Sequence, residues 1–300
     1  MPTKPVLAPL LALLVASCGL APTVRPAAAK EVARASGDVA TFLAHPEIEA
    51  KAPAAFSLQP ESLPFLQAVD RSVRPQRDAL VSAIQAQPAL AEAIARYDTL
   101  TWEQQVAVLK QVMALEGKVM GFTLPPLVIQ DGPSRIPSYF DFDPAVPGTG
   151  KVILYPEAIA QEKNPYASLL LLIHEVRHSA QFQLATQEGL GGDAGALARG
   201  FKASFSAQRA LYQTLGFCDF CSLNAEFEAF QAGNYVVGRL TGWHVETRDM
   251  GCLSSQYDAQ GKLRVDLLEL AHGVGPAGLL AAFNQQEREH YRELTGGTER

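Results

Sequence analysis

The sequence predicts an α+β fold, mostly helical, with a small antiparallel sheet packed on one buried helix. Three observations predict it. Apolar residues recur at helical spacing over 60–121 and again from 164 onward. Between them, a stretch rich in Pro and Gly carries three short runs of strand character. The next helix is apolar on every side, through Leu169-Leu170-Leu171-Leu172-Ile173, which marks it as buried in the middle of a domain. At 300 residues and 48% hydrophobic, the chain suffices for one sizeable core with helical additions. A net charge of −6 without any basic tract argues against nucleic acid as a partner.

The first thirty residues stand apart. Lys4 precedes an apolar run from Val6 to Ala16, which ends in Val15-Ala16-Ser17-Cys18-Gly19. A short apolar run with small residues before a cut site is a secretory signal, too short to span a bilayer permanently. The Val-Ala-Ser-Cys tetrapeptide resembles the lipobox of bacterial lipoproteins. That resemblance implies a signal peptide over 1–17 and a lipidated Cys18. The protein would then be exported to the cell envelope and lipid-anchored to a bacterial membrane, on its periplasmic or extracellular face. The other reading is ordinary cleavage near Ala27-Ala28-Ala29. Residues 18–59 are rich in Ala and Pro and are expected to form a loosely structured membrane tether.

Export leaves Cys218, Cys221 and Cys252 in an oxidising compartment, an odd number that cannot all pair within one chain. Cys218 and Cys221 have C-x-x-C spacing, but no second such pair completes a structural zinc site. No strand–helix pattern of thioredoxin type surrounds them. One of the two is expected to bridge to Cys252, and the sequence does not say which.

Each element has its own signal. In the N-terminal helical region, 60–121, Leu63, Leu66, Val69 and Val73 form one apolar stripe, followed by Leu80 with Ile84 and Leu90 with Ile94. Thr101-Trp102-Glu103-Gln104 reads as a capping box opening a helix with Val106, Leu109, Val112 and Met113 on one face. The domain expected over 122–300 begins with strands at 124–129, 139–142 and 151–155. Pro156 stops the last of these and suits an edge strand. Asn164-Pro165 starts the buried helix, which is expected to end near Gly189. A second long helix is expected over 193–215. A third, over 223–233, takes Ser222 as its cap, and two more follow from Leu263, the last over 276–295.

The chemistry lies in the buried helix, at His174-Glu175-Val176-Arg177-His178. Residues i and i+4 sit about 40° apart around a helix and one turn up, so both imidazoles reach one metal ion. Glu175 lies close enough to polarise a water there. Two histidines and a carboxylate in an apolar helix are costly unless something compensates them, and a metal does so. The alternative is a hydrogen-bonded histidine pair with Glu175 paired to Arg177.

A strand, an edge strand, an H-E-x-x-H helix and a downstream helix carrying Glu resemble the gluzincin branch of zincin metallopeptidases, over roughly residues 122–240. The metzincin extension is absent, since Gln181 and Leu184 stand where its Gly and His would be. The resemblance implies a zinc ion (Zn2+) held by His174, His178 and a third ligand from an E-x-x-A-D segment. Here Glu226-Phe227-Glu228-Ala229-Phe230 matches E-x-x-A, with Phe230 in place of the Asp. Glu226 is preferred because it shares its face with Ala229 and Gly233, which would let the two helices approach. Glu228, about 200° away around the helix, remains the alternative.

By the same resemblance, zinc brings the pKa of its water toward about 7 and Glu175 takes the proton as water attacks a peptide carbonyl. Tyr235 and His244 are candidate oxyanion donors, Gln181 a supporting residue behind the ligands, and Lys151–Tyr155 the edge strand for an extended peptide. The substrate class implied is peptide or protein. A second function class is a non-catalytic envelope lipoprotein that keeps the zincin fold as a scaffold or binding protein. A third is a thiol–disulfide protein using Cys218 and Cys221.

Overall fold

The computed structural model describes residues 39–162, 164–243, 249–251 and 254–295, and it is mostly helical. Helices α1 (Leu63–Ala68), α2 (Arg74–Gln85), α3 (Pro88–Ala95) and α4 (Trp102–Met120) come first. Strands β1 (Leu127–Ile129), β2 (Ser138–Asp141) and β3 (Lys151–Leu154) follow. Then come α5 (Ala167–Ala185), α6 (Gly192–Leu211), α7 (Phe217–Ser222) and α8 (Asn224–Thr241). A strand pair, β4 (Asp249–Gly251) and β5 (Ser254–Ser255), precedes α9 (Leu267–Val274) and α10 (Leu279–Thr295). Among the described residues, no helix is long and apolar enough to cross a membrane.

Local chemistry explains the ends of these elements. Thr101 and Gln104 form the reciprocal capping box that opens α4, and Gly121, at φ 71°, closes it in the left-handed region that favours glycine. Asn164 Oδ1 accepts from the Tyr166 amide at 2.8 Å, and α5 begins one residue later. Ser222 does not cap α8. Its hydroxyl donates to Glu49 Oε1 at 2.6 Å instead. Nor does α8 stop at Gly233. It continues to Thr241, because Gly233 is where the helix crosses α5: a Cβ there would lie 3.0 Å from the Leu170 carbonyl oxygen.

The sheet differs from the expected antiparallel one in two ways. Its order is β1-β3-β2, with β3 parallel to β1 and antiparallel to β2. Lys151–Tyr155 is therefore the central strand and not an edge. The cause is visible in Val152, Ile153 and Leu154, all buried: a continuous apolar run marks a strand covered on both faces. The edges are β1 and β2. Side chains alternate across a strand, so Ser138 and Phe140 share the face of β2 that lies on α5, and Phe142, one residue past the strand, continues on that side. They meet Glu175, His178 and Phe182, spaced one turn apart along that helix. The chain re-enters at Gly150, at φ 61°, where any Cβ would overlap the Phe140 ring.

One apolar cluster joins Leu80, Ile84, Leu109 and Val112 of the N-terminal helices to Leu169, Leu172 and Val236 of α5 and α8. Residues 60–121 and the following segment thus share a core. Residues 39–59, expected to be loose, are packed as well. Phe56 is fully buried and bridges to Leu223 just before α8. Polar anchors fix this segment. Asp219 accepts from the His45 amide at 2.7 Å, and Asn224 donates to the Ala54 carbonyl at 2.9 Å while accepting from the Ser57 hydroxyl.

Candidate metal centre

α5 carries His174 and His178 one turn apart, and α8 brings Glu226 in its first turn against them. His174 Nε2 and His178 Nε2 lie 3.0 Å apart, and Glu226 Oε2 is 3.2 Å from the first and 3.4 Å from the second. All three residues are buried, with 5%, 5% and 4% exposure respectively. A tetrahedral zinc with bonds of about 2.0–2.1 Å separates neighbouring ligand atoms by roughly 3.3 Å. The triangle therefore has the size of one face of such a site. Glu226 Oε2 makes no hydrogen bond of acceptable geometry despite its burial, and this orphaned oxygen is the one facing both rings. Electron-rich atoms converging this closely need a shared cation, a metal ion or a proton.

The electrostatics express the same need. Burial alone would raise the Glu226 carboxyl, but His178 and His174 beside it hold it at about 2. Burial likewise opposes charge on His178, yet the Glu226 and Glu175 carboxylates outweigh it and carry the imidazole up to about 9.

Behind the ligands lies a second layer. Gln181 Oε1 is 2.8 Å from His178 Nδ1 and accepts its proton, which leaves His178 Nε2 to face the cluster. Gln181 Nε2 donates to Glu228 Oε2 at 2.7 Å and to the Ala225 carbonyl at 3.0 Å. Glu228 points away from the histidines and accepts from Arg177 Nε and Nη2. Arg177 is thus the partner of Glu228 and not of Glu175. Glu175 Oε1 accepts from Ser138 Oγ at 2.7 Å. His174 is held differently, for Phe230 packs on its ring at 4.3 Å and its Nδ1 is buried without a hydrogen-bond partner.

Tyr235 is not brought to the cluster. It lies nine residues beyond Glu226, about 13 Å along α8. Its hydroxyl donates to Asp78 and its ring carries Arg239 at 5.8 Å. His244, Cys18 and Cys252 lie outside the described residues. Cys218 is disulfide-bonded, whereas Cys221 is a buried thiol, so the two do not bridge each other. Two residues absent from the sequence reading matter here. Ser138 holds Glu175 from a strand 37 positions earlier, and no spacing rule links them. Glu116 on α4 is buried beside the Arg177–Glu228 pair, and burial pushes its carboxyl up to about 8. No protein-family model matches the chain, and no curated protein or solved structure matches it.

Proposed function

We propose that this chain is a zinc-dependent peptidase of gluzincin-like type, attacking a peptide carbonyl outside the cytoplasm. The observation that carries the reading is the convergence of His174 Nε2, His178 Nε2 and Glu226 Oε2 beside a carboxylate, Glu175, held by a hydroxyl and not by a cation. Two imidazoles and one carboxylate are a donor set of catalytic zinc. When bound, zinc supplies Lewis acidity, polarising a carbonyl and acidifying a water in its open position.

The chain's own residues supply the rest. Ser138 occupies Oε1 of Glu175, which leaves Oε2 to receive a proton from the attacking water and return it to the departing amine. Gln181 keeps the His178 lone pair aimed at the cluster. With β3 central, β2 is the edge that carries Ser138, and an extended peptide would lie along β2. The disulfide at Cys218 supports export, with Cys18 as the lipid-bearing residue and the membrane reached through that lipid.

One observation favours a second reading, a non-catalytic zincin-fold lipoprotein serving as an envelope scaffold or binding protein. His174 lacks an orienting acceptor, which suits a metal that stabilises the fold without turnover. Elemental analysis of the chain from Gly19, purified without added metal, tests both. About one zinc per chain is expected, and a chain that neither holds nor takes up zinc ends the peptidase reading and leaves the non-catalytic lipoprotein. Glu175→Gln then separates them. The peptidase keeps its zinc and loses hydrolysis by about 10²-fold or more, whereas the scaffold keeps its envelope function.

A further inference from the structure

We propose that the cavity between α5 and α6, walled by Phe142, Phe182 and Phe205, selects the substrate: it takes a large apolar side chain, aromatic by preference, with a carboxylate next to it. This rests on the peptidase reading and names the peptide class that reading leaves open.

The cavity has a volume of about 290 Å³, at the small end of the range for ligand sites and suited to one bulky side chain. Its walls are rings in edge-to-face arrangement. Phe142 lies 5.0 Å from Phe205 at 61°, and Phe182 lies 5.9 Å from Phe205 at 87°. A further ring entering such a cluster finds both edges and faces. The cavity also adjoins the metal centre. The Phe205 ring is 6.4 Å from that of His178, and Phe182 follows His178 by one turn of α5.

Strand β2 connects the two places. Its α5-facing side starts at Ser138, which holds Glu175, and the residue just past its end, Phe142, walls the cavity. Four residues of strand span about 13 Å, so a peptide laid along this edge with its carbonyl at Glu175 reaches the cavity a few residues away.

The rim supplies the charge preference. Lys202 and Arg209 are the cavity's ionisable lining residues, two turns apart on one face of α6. Both are exposed, and neither forms an ion pair among the described residues. In a chain of net charge −6, two such cations at the mouth of an apolar cavity are complementary to a carboxylate on its occupant.

The test reads binding, so it does not depend on turnover. Labelled peptides containing Glu-Phe-Glu, Glu-Ala-Glu or Gln-Phe-Gln in one common flanking sequence, and one ending in Gln-Phe as either acid or amide, are titrated by anisotropy against the full chain carrying Glu175→Gln. Glu-Phe-Glu is expected to bind about tenfold tighter than either Glu-Ala-Glu or Gln-Phe-Gln. Ser206→Phe, which fills the cavity from its exposed rim, is expected to erase the Phe preference. Lys202→Glu with Arg209→Glu is expected to erase the Glu preference. A preference carried by the C-terminal acid supports the cavity and assigns the carboxylate to a chain end. Equal binding of all peptides, or preferences that survive both variants, overturns the proposal. Zinc content of the same preparations reports separately. Absent zinc with intact preferences ends the peptidase reading alone, and bound zinc without preferences ends the cavity's role alone.

Discussion

Two positions along a helix turn a side chain by about 200°, and this rotation divides the work between Glu226 and Glu228. Glu226 faces two imidazoles, while Glu228 faces Arg177 and Gln181. Removing one partner of a buried ion pair strands the other, at a cost of about 3–5 kcal/mol. Glu228→Ala should therefore lower unfolding free energy by that order in urea melts. Glu226→Gln is expected to abolish zinc retention with a smaller loss of stability in the metal-free chain. Gln181→Leu removes the acceptor from His178 Nδ1, and zinc affinity measured by chelator competition should fall about 10–100-fold. At this scale the sequence was informative wherever a spacing rule applies. His174, Glu175 and His178 share a turn, Glu226 shares a small-residue face with Ala229 and Gly233, and Gln181 follows His178 by one turn. Ser138 was invisible, because a strand residue meeting a helix residue 37 positions later leaves no periodic trace. Tyr235 stands about 13 Å along α8 from Glu226, and its hydroxyl meets Asp78.

At the scale of elements, the approach of α8 to α5 makes the centre, and Gly233 permits that approach. A Cβ there would already lie 3.0 Å from the Leu170 carbonyl, with backbone on both sides of the contact and no flexible side chain to yield. Gly233→Val should destabilise by about 1–3 kcal/mol and weaken zinc binding by displacing Glu226. The pair of readouts matters, since a variant that lost stability but bound zinc normally would detach the helix crossing from the site. The helices themselves were legible, because capping boxes and apolar stripes are local. The sheet was legible as three short runs but not in its order. Strand order follows from which runs are covered on both faces, and the three buried residues Val152, Ile153 and Leu154 carried that information better than the bordering Pro156 did.

Across the whole molecule, the core runs from α2 to α8 without a break, so a fragment covering 122–300 would expose the faces that Leu80, Ile84 and Leu109 now cover. The N-terminal segment escaped the sequence reading because polar groups of Asp219 and Asn224 tie it down, and composition does not register them. The same interior holds carboxyls that bear on pH. Burial raises Glu116 from 4.5 to about 8 and Glu49 to about 7, the latter despite hydrogen bonds from Gln59 and Ser222. The folded chain therefore keeps protons that the unfolded chain releases near 4.5. Stability from these groups is complete below that pH and declines as pH rises toward 7–8, by up to about 1.4 kcal/mol per pH unit for each group. Glu116→Gln keeps the shape and carries no proton to lose. Its unfolding free energy relative to the natural chain should rise steadily between pH 5 and 8. Urea melts at several pH values, with chelator present so that metal binding does not contribute, measure that difference directly. A difference that stays constant with pH would mean that Glu116 is ionised in the folded protein, drawing on Arg177 alongside Glu228.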